Sequence, residues 1–158
     1  MTHSQTYLEE VVKIAQKLDP ETVEQMVKEL VALRDRRGRL FVLGLGGSAA
    51  NASHLVNDLR KLCGIEAYTP TDNVAEFTAR INDEGWNTVF SDTLVFATPH
   101  DDAILILSVG GGVDKGVSMP LVFAIDHAKS RGMKVFGIIG RDGGYTAKMA
   151  DCCVIIPT

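Results

Sequence analysis

The sequence predicts a doubly wound αβα sandwich on a five-stranded parallel sheet, and three observations carry that expectation. Short apolar runs recur along the chain, helical stretches separate them, and glycine-rich loops follow three of the runs. A strand buried on both faces reads as a continuous apolar run, and strands joined through helices run parallel. The runs fall at 40–43, 103–107, 135–139 and 153–156, and a weaker one at 66–68 makes five.

Taken in order, Tyr7, Leu8, Val11, Val12, Ile14, Ala15 and Leu18 recur at helical spacing and predict a helix over 4–18. Asp19-Pro20 then supplies a stop and a restart, because proline fits the first position of a helix. The second helix, over 21–36, carries Val23, Met26, Val27, Leu30, Val31 and Leu33, and Arg36-Arg37-Gly38 gives it a cationic end and a glycine stop. The chain therefore opens as a helical hairpin over 1–37, and the αβα core follows over 38–158 as part of the same single domain. Further helices are expected at 49–62, 74–81, 85–96, 119–131 and 145–150. The two apolar stripes of the hairpin offer more hydrophobic surface than one sheet face needs, which predicts a contact with a second copy of the chain.

Composition narrows the function. A chain of 158 residues with 46% apolar and 23% charged residues suits one domain with a proper core. Its net charge of −4 argues against the cationic surface that grips nucleic-acid backbones, whereas a small anion held by backbone amides stays compatible. No run approaches the roughly 20 apolar residues of a membrane helix, and the first ten residues are polar, so a soluble, cytoplasmic protein is expected. Cys63 is isolated, and a strand would point the adjacent Cys152 and Cys153 to opposite faces, which predicts thiols rather than a disulfide framework or a zinc cluster.

Ligands of such sheets sit beyond the C-terminal ends of the strands, where glycines let amides approach an anion. Three loops occupy such positions: 44–48 after the first run, 108–112 after the third and 140–144 after the fourth. Gly44-x-Gly46-Gly47-Ser48 has alanine where the dinucleotide fingerprint needs its third glycine, and no Gly-Lys-Ser/Thr of a phosphate loop occurs. What remains is a tight turn whose serine either caps the helix or meets a ligand. Ser48, Asn51, His54 and Asp58 follow at spacings of three, three and four, so they share one helix face that begins at the loop. His54 and Asp58, at i and i+4, have the spacing of two metal ligands, of an acid and base pair, or of a solvated ion pair. His100, in a turn before Asp101-Asp102, and His127, within a helix, read as structural.

The segment Phe41-Val42-Leu43-Gly44-Leu45-Gly46-Gly47-Ser48-Ala49-Ala50-Asn51-Ala52-Ser53-His54 resembles the strand, turn and helix of the sugar isomerase (SIS) domain, and within it of the phosphoheptose isomerases. Thr71-Asp72-Asn73 with Asn82-Asp83-Glu84-Gly85-Trp86 is similar to the family's second block, and Lys134 through Gly144 is similar to its fourth strand and GxDGG turn. The resemblance covers roughly residues 20–157 and implies a flavodoxin-like sheet. It further implies ketose–aldose isomerisation of sedoheptulose 7-phosphate to a heptose 7-phosphate through an enediol, in a homotetramer with sites at subunit boundaries. On it, Gly46, Gly47, Ser48, Asn51, Asn82, Asp83, Ser108, Gly110 and Gly111 contact the sugar phosphate. Asp58 and Asp83 serve catalysis, and His54 and Asp58 bind zinc. A base beside the C–H bond and an electrophile on the oxygens are what an enediol route requires.

Three departures accompany the resemblance. Asp58 stands where the family has glutamate, one methylene longer. Ser108-Val109-Gly110-Gly111-Gly112 replaces a hydroxyl-rich loop and loses two side-chain donors, with Ser118 as a later substitute. The family continues into a C-terminal helix bearing further metal ligands and a catalytic histidine, whereas this sequence ends at Pro157-Thr158. The competing expectation is a non-catalytic SIS module that binds a sugar phosphate or a protein such as a replication initiator.

Overall fold

The computed structural model describes residues 1–157. Five parallel strands form one sheet: β1 (Leu40–Gly44), β2 (Ala67–Tyr68), β3 (Ala103–Ser108), β4 (Lys134–Gly140) and β5 (Cys152–Ile156), in the order β2-β1-β3-β4-β5. This is the flavodoxin-like order, in which chain direction across the sheet reverses between β1 and β3. Leu40 pairs with Ala103 and Gly44 with Leu107, so both strands end at the same level and release their loops side by side.

Among the described residues seven α-helices precede or connect the strands: α1 (His3–Lys17), α2 (Pro20–Asp35), α3 (Gly47–Leu62), α4 (Val74–Asp83), α5 (Val89–Thr93), α6 (Met119–Ser130) and α7 (Gly144–Met149). Two apolar layers sandwich the sheet. Phe41, Leu43, Ile104, Ile106 and Val135 face α5 and α6, meeting Phe90, Leu121 and Ile125. On the other face Leu40, Val42, Leu105 and Phe136 meet Met26 and Leu33 of α2 and Ala52, Val56 and Leu59 of α3. Alternate residues of each strand serve opposite layers, as the pleat demands.

Local rules account for the element ends. Thr2 and Gln5 form a reciprocal capping box on α1, and Asp19 accepts from the Glu21 N–H at 3.0 Å ahead of Pro20. The glycine stop of α2 is subtler than expected: Arg37, not Gly38, takes the left-handed conformation (φ 60°), and the Gly38 N–H closes back onto the Leu33 carbonyl at 2.9 Å. Gly38 is required for space, since a Cβ there would lie 2.1 Å from the Asp101 carbonyl oxygen. The helix expected over 85–96 is shortened to α5 with a 3-10 turn over Leu94–Phe96, because Gly85 turns the chain at φ 100°.

At the N-terminal edge of the sheet, Asp102 is 2% exposed and takes bonds from the Arg39 and Thr98 backbone N–H groups and from the Arg39 guanidinium at 2.7 Å. This carboxylate fastens β1 to β3. Cys152 is buried and Cys153 half-buried, both free, and burial pushes the Cys153 thiol up to about 11. Both helices of the N-terminal segment form, but only α2 is packed into the core; α1 buries none of its residues. No helix among the described residues is long and apolar enough to cross a membrane.

Candidate functional site

The end of β1 is built for close approach. Gly44 runs so near the first turn of α3 that a Cβ on it would meet the Ser48 carbonyl oxygen at 2.5 Å. Gly46 is the residue that caps α3, at φ 57° and ψ −125°, a backbone reserved for glycine, and it makes no side-chain cap. Ser48 therefore sits inside the first turn and does not cap the helix, so its hydroxyl is left for something else. Ser48 lines a cleft of about 540 Å³.

Three loops form this cleft at the C-terminal ends of β1, β3 and β4, across the switch point of the sheet. Leu45 and Ser48 line it from the first loop, Ser108, Val109, Gly110 and Gly112 from the second, and Arg141, Asp142 and Gly144 from the third. Val113, Asp114, Val117 and Ser118 close one side, and Tyr145 and Lys148 of α7 close another.

The second and third loops are stitched together by backbone. The Tyr145 N–H donates to the Gly112 carbonyl and the Thr146 N–H to the Gly111 carbonyl, both at 2.9 Å, while the buried Thr146 hydroxyl donates to the Gly111 carbonyl at 2.7 Å. A Cβ on Gly111 would lie 2.0 Å from the Gly143 carbonyl oxygen, and one on Gly144 would lie 2.1 Å from that of Gly110. Glycines at these places serve the junction first. The Gly111 N–H is itself satisfied by the Ser108 Oγ at 3.1 Å, which leaves the Ser108 hydroxyl proton directed elsewhere.

The sequence-predicted residues divide into two groups. Ser48, Ser108 and Gly110 line the cleft together, and Ser118 joins them. Asn51 lies one turn along α3 and lines a shallower groove that also holds Ser48 and Ser108. Gly46 and Gly47 shape the turn without lining the cleft, and Gly111 lies beneath it, buried. The remaining residues lie outside. His54 and Asp58 pair on the outer face of α3, Nε2 to Oδ2 at 3.4 Å, with the His54 side chain 78% exposed. Asn82 donates to Asp83 at 2.7 Å at the exposed end of α4. Of the two histidines read as structural, His100 packs on Gly132, and the pKa of His127 is lowered, by burial first and then by Arg131.

Sequence reasoning missed Arg141, Tyr145 and Lys148. A signal existed, because Tyr145 and Lys148 stand three apart on the helix that opens directly after the third glycine loop. Tyr145 is anchored by donating to Asp126 at 2.6 Å, and that bond is the main reason its phenol is pushed up to about 12.

The donor set does not complete a metal site. His54 and Asp58 supply two ligands where zinc takes three or four from protein, and among the described residues no group of three or more His, Cys, Asp or Glu is placed to hold an ion.

The chain was compared with known proteins. No family model matches it. It is 32% identical over 141 residues to the phosphoheptose isomerase of Sulfurimonas denitrificans, covering 86% of this chain and 70% of that protein. Among solved structures, a phosphoheptose isomerase from Francisella tularensis superposes with a TM-score of 0.86 at 26% identity, covering 100% of this chain and 87% of that one. The phosphoheptose isomerase from Neisseria gonorrhoeae gives 0.86 at 25% identity, covering 98% and 85%.

Proposed function

The chain belongs to the phosphoheptose isomerase family, and from that premise we propose that it isomerises sedoheptulose 7-phosphate to the aldose heptose 7-phosphate. The observation that carries the reading is the cleft at the switch point, where Ser48 and Ser108 present hydroxyls that no cap or fold contact consumes as donors. In the reaction a proton leaves C1 of the ketose to give an enediol and returns at C2, while a hydroxyl proton passes from O1 to O2. The hydroxyls of Ser48 and Ser108, with Gly110, bind and orient the substrate. The enclosing loops limit water around the enediol.

Asp58 and Asp83 are the acid–base residues of this reading, and Asn51 and Asn82 are its further polar contacts. Asp58 and Asp83 do not line the cleft of one chain, so the reading assigns them to a neighbouring copy's site in a homo-oligomer. Support comes from α1, which buries nothing and exposes Tyr7, Leu8, Val11 and Val12. Zinc is the family's implied cofactor, but this chain's residues do not complete its ligand set.

The test is incubation with sedoheptulose 7-phosphate, reading aldose by NMR with and without added zinc, alongside light scattering for assembly state. Aldose formation supports the reading, and no product in either arm sinks it. The incomplete donor set favours a second reading, a module that binds the sugar phosphate without turning it over. Saturable binding with no product is its signature.

A further inference from the structure

Resting on the isomerase reading, we infer that Lys148 is the residue that grips the substrate's phosphate, in place of the side-chain hydroxyls missing from the loop after β3. Ser108 is the only hydroxyl of that loop, and the Gly111 N–H is already bound to it, so the loop's donors are that one hydroxyl and the remaining N–H groups, with no cation among them. Neutral donors leave a phosphate's charge unanswered, and the Gly111 and Gly112 carbonyls, which accept and so cannot hold an anion, are fastened to Thr146 and Tyr145. The same fastening, however, delivers α7 to the cleft. Tyr145 and Lys148 are three residues apart on one face of that helix, and both line the cavity.

Charge then selects Lys148. The cleft lining holds two cations, Arg141 and Lys148, and two anions, Asp114 and Asp142. Arg141 already has a partner within the fold, whereas Lys148 makes no ion pair among the described residues. A phosphate monoester carries between one and two negative charges near neutral pH. Without Lys148 the lining would be left with one cation against two carboxylates and would repel it. With Lys148 the lining is neutral, and one ammonium on a flexible stem is aimed at the incoming dianion. Phosphate recognition thus passes from hydroxyl donors on the β3 loop to a cation on α7, which makes affinity for the substrate dependent on salt.

The experiment compares wild type, K148Q and K148R by calorimetric titration with sedoheptulose 7-phosphate, with sedoheptulose and with inorganic phosphate, and by turnover where it occurs. K148Q should bind the sugar phosphate and inorganic phosphate about tenfold more weakly, the loss expected of one charge-assisted contact. KM should rise with a smaller change in kcat, K148R should restore most of the affinity, and sedoheptulose binding should not respond to the substitution. The affinity of wild type should fall between 50 and about 300 mM salt, and that of K148Q should fall less. Phosphate binding equal in wild type and K148Q overturns the inference, as does wild type that binds no phosphate at all. Wild type that binds phosphate through Lys148 yet makes no aldose would instead sink the isomerase reading and leave this inference standing.

Discussion

Replacing Gly111 by alanine isolates the contact on which the cleft depends. Gly111 is left-handed at φ 68°, and the added Cβ would lie 2.0 Å from the Gly143 carbonyl oxygen and 3.0 Å from the Ile139 Cγ2. Carbon atoms settle near 3.5–4.0 Å from their neighbours, so the two loops must part by more than an ångström. That movement strains three hydrogen bonds at once: Tyr145 N–H to Gly112 at 2.9 Å, Thr146 N–H to Gly111 at 2.9 Å and the Thr146 hydroxyl to Gly111 at 2.7 Å. Each is worth about 1 kcal/mol net, and the left-handed backbone adds about 1–2 kcal/mol for a residue with a Cβ. The expected loss is about 4–5 kcal/mol, which lowers Tm by roughly 10–15 °C for a chain of this size. Gly64 is the control. It is also left-handed, at φ 65°, but a Cβ there meets nothing within 4 Å, so G64A should cost only the backbone strain of about 1–2 kcal/mol. Urea and thermal unfolding of the two variants give the comparison, with sugar-phosphate titration as a second readout. Equal stability of G111A and G64A would refute the claim that the glycines exist for the junction.

Three further outcomes are expected. S48A should unfold within about 0.5 kcal/mol of wild type, because Ser48 is not a cap, yet bind sedoheptulose 7-phosphate about tenfold more weakly by calorimetry; a loss of about 1 kcal/mol in stability with unchanged binding would restore the capping role. D102A should cost about 3–5 kcal/mol in urea unfolding, since it removes the buried carboxylate that the Arg39 guanidinium and two backbone N–H groups share; a loss under 1 kcal/mol would show that the Asp102 bonds are dispensable. Tyr145 titrates higher in the folded chain than the ordinary phenol at about 10, being held protonated by its bond to Asp126. Its stabilisation is therefore complete below pH 10 and lost as pH rises toward 12, so the stability difference between wild type and Y145F should close across that window; a difference independent of pH would argue against the bond.

The sequence by itself determined the layers, the parallel sheet and the level at which the cleft-forming loops gather. Continuous apolar runs, helical periodicity and the Asp19-Pro20 restart are local signals, and the strands they predict at 40–43 and 103–107 formed in register with their loops adjacent. The place of Ser48, Ser108 and Gly110 along the cleft was legible for the same reason, since Ser108 ends its strand and the other two follow the ends of theirs.

Tertiary structure decided which neighbours those residues meet, which no spacing along one chain contains. Helical periodicity placed His54 and Asp58 correctly on one face of α3, but only the packing of Ala52, Val56 and Leu59 against the sheet turned that pair outward, away from the cleft. Glycines at 111 and 144 read as an anion cradle, and the fold spends them on a contact between two backbones. That contact brings Tyr145 and Lys148 into the cleft from the far end of the chain, because hydrogen bonds between the second and third loops fix where α7 begins.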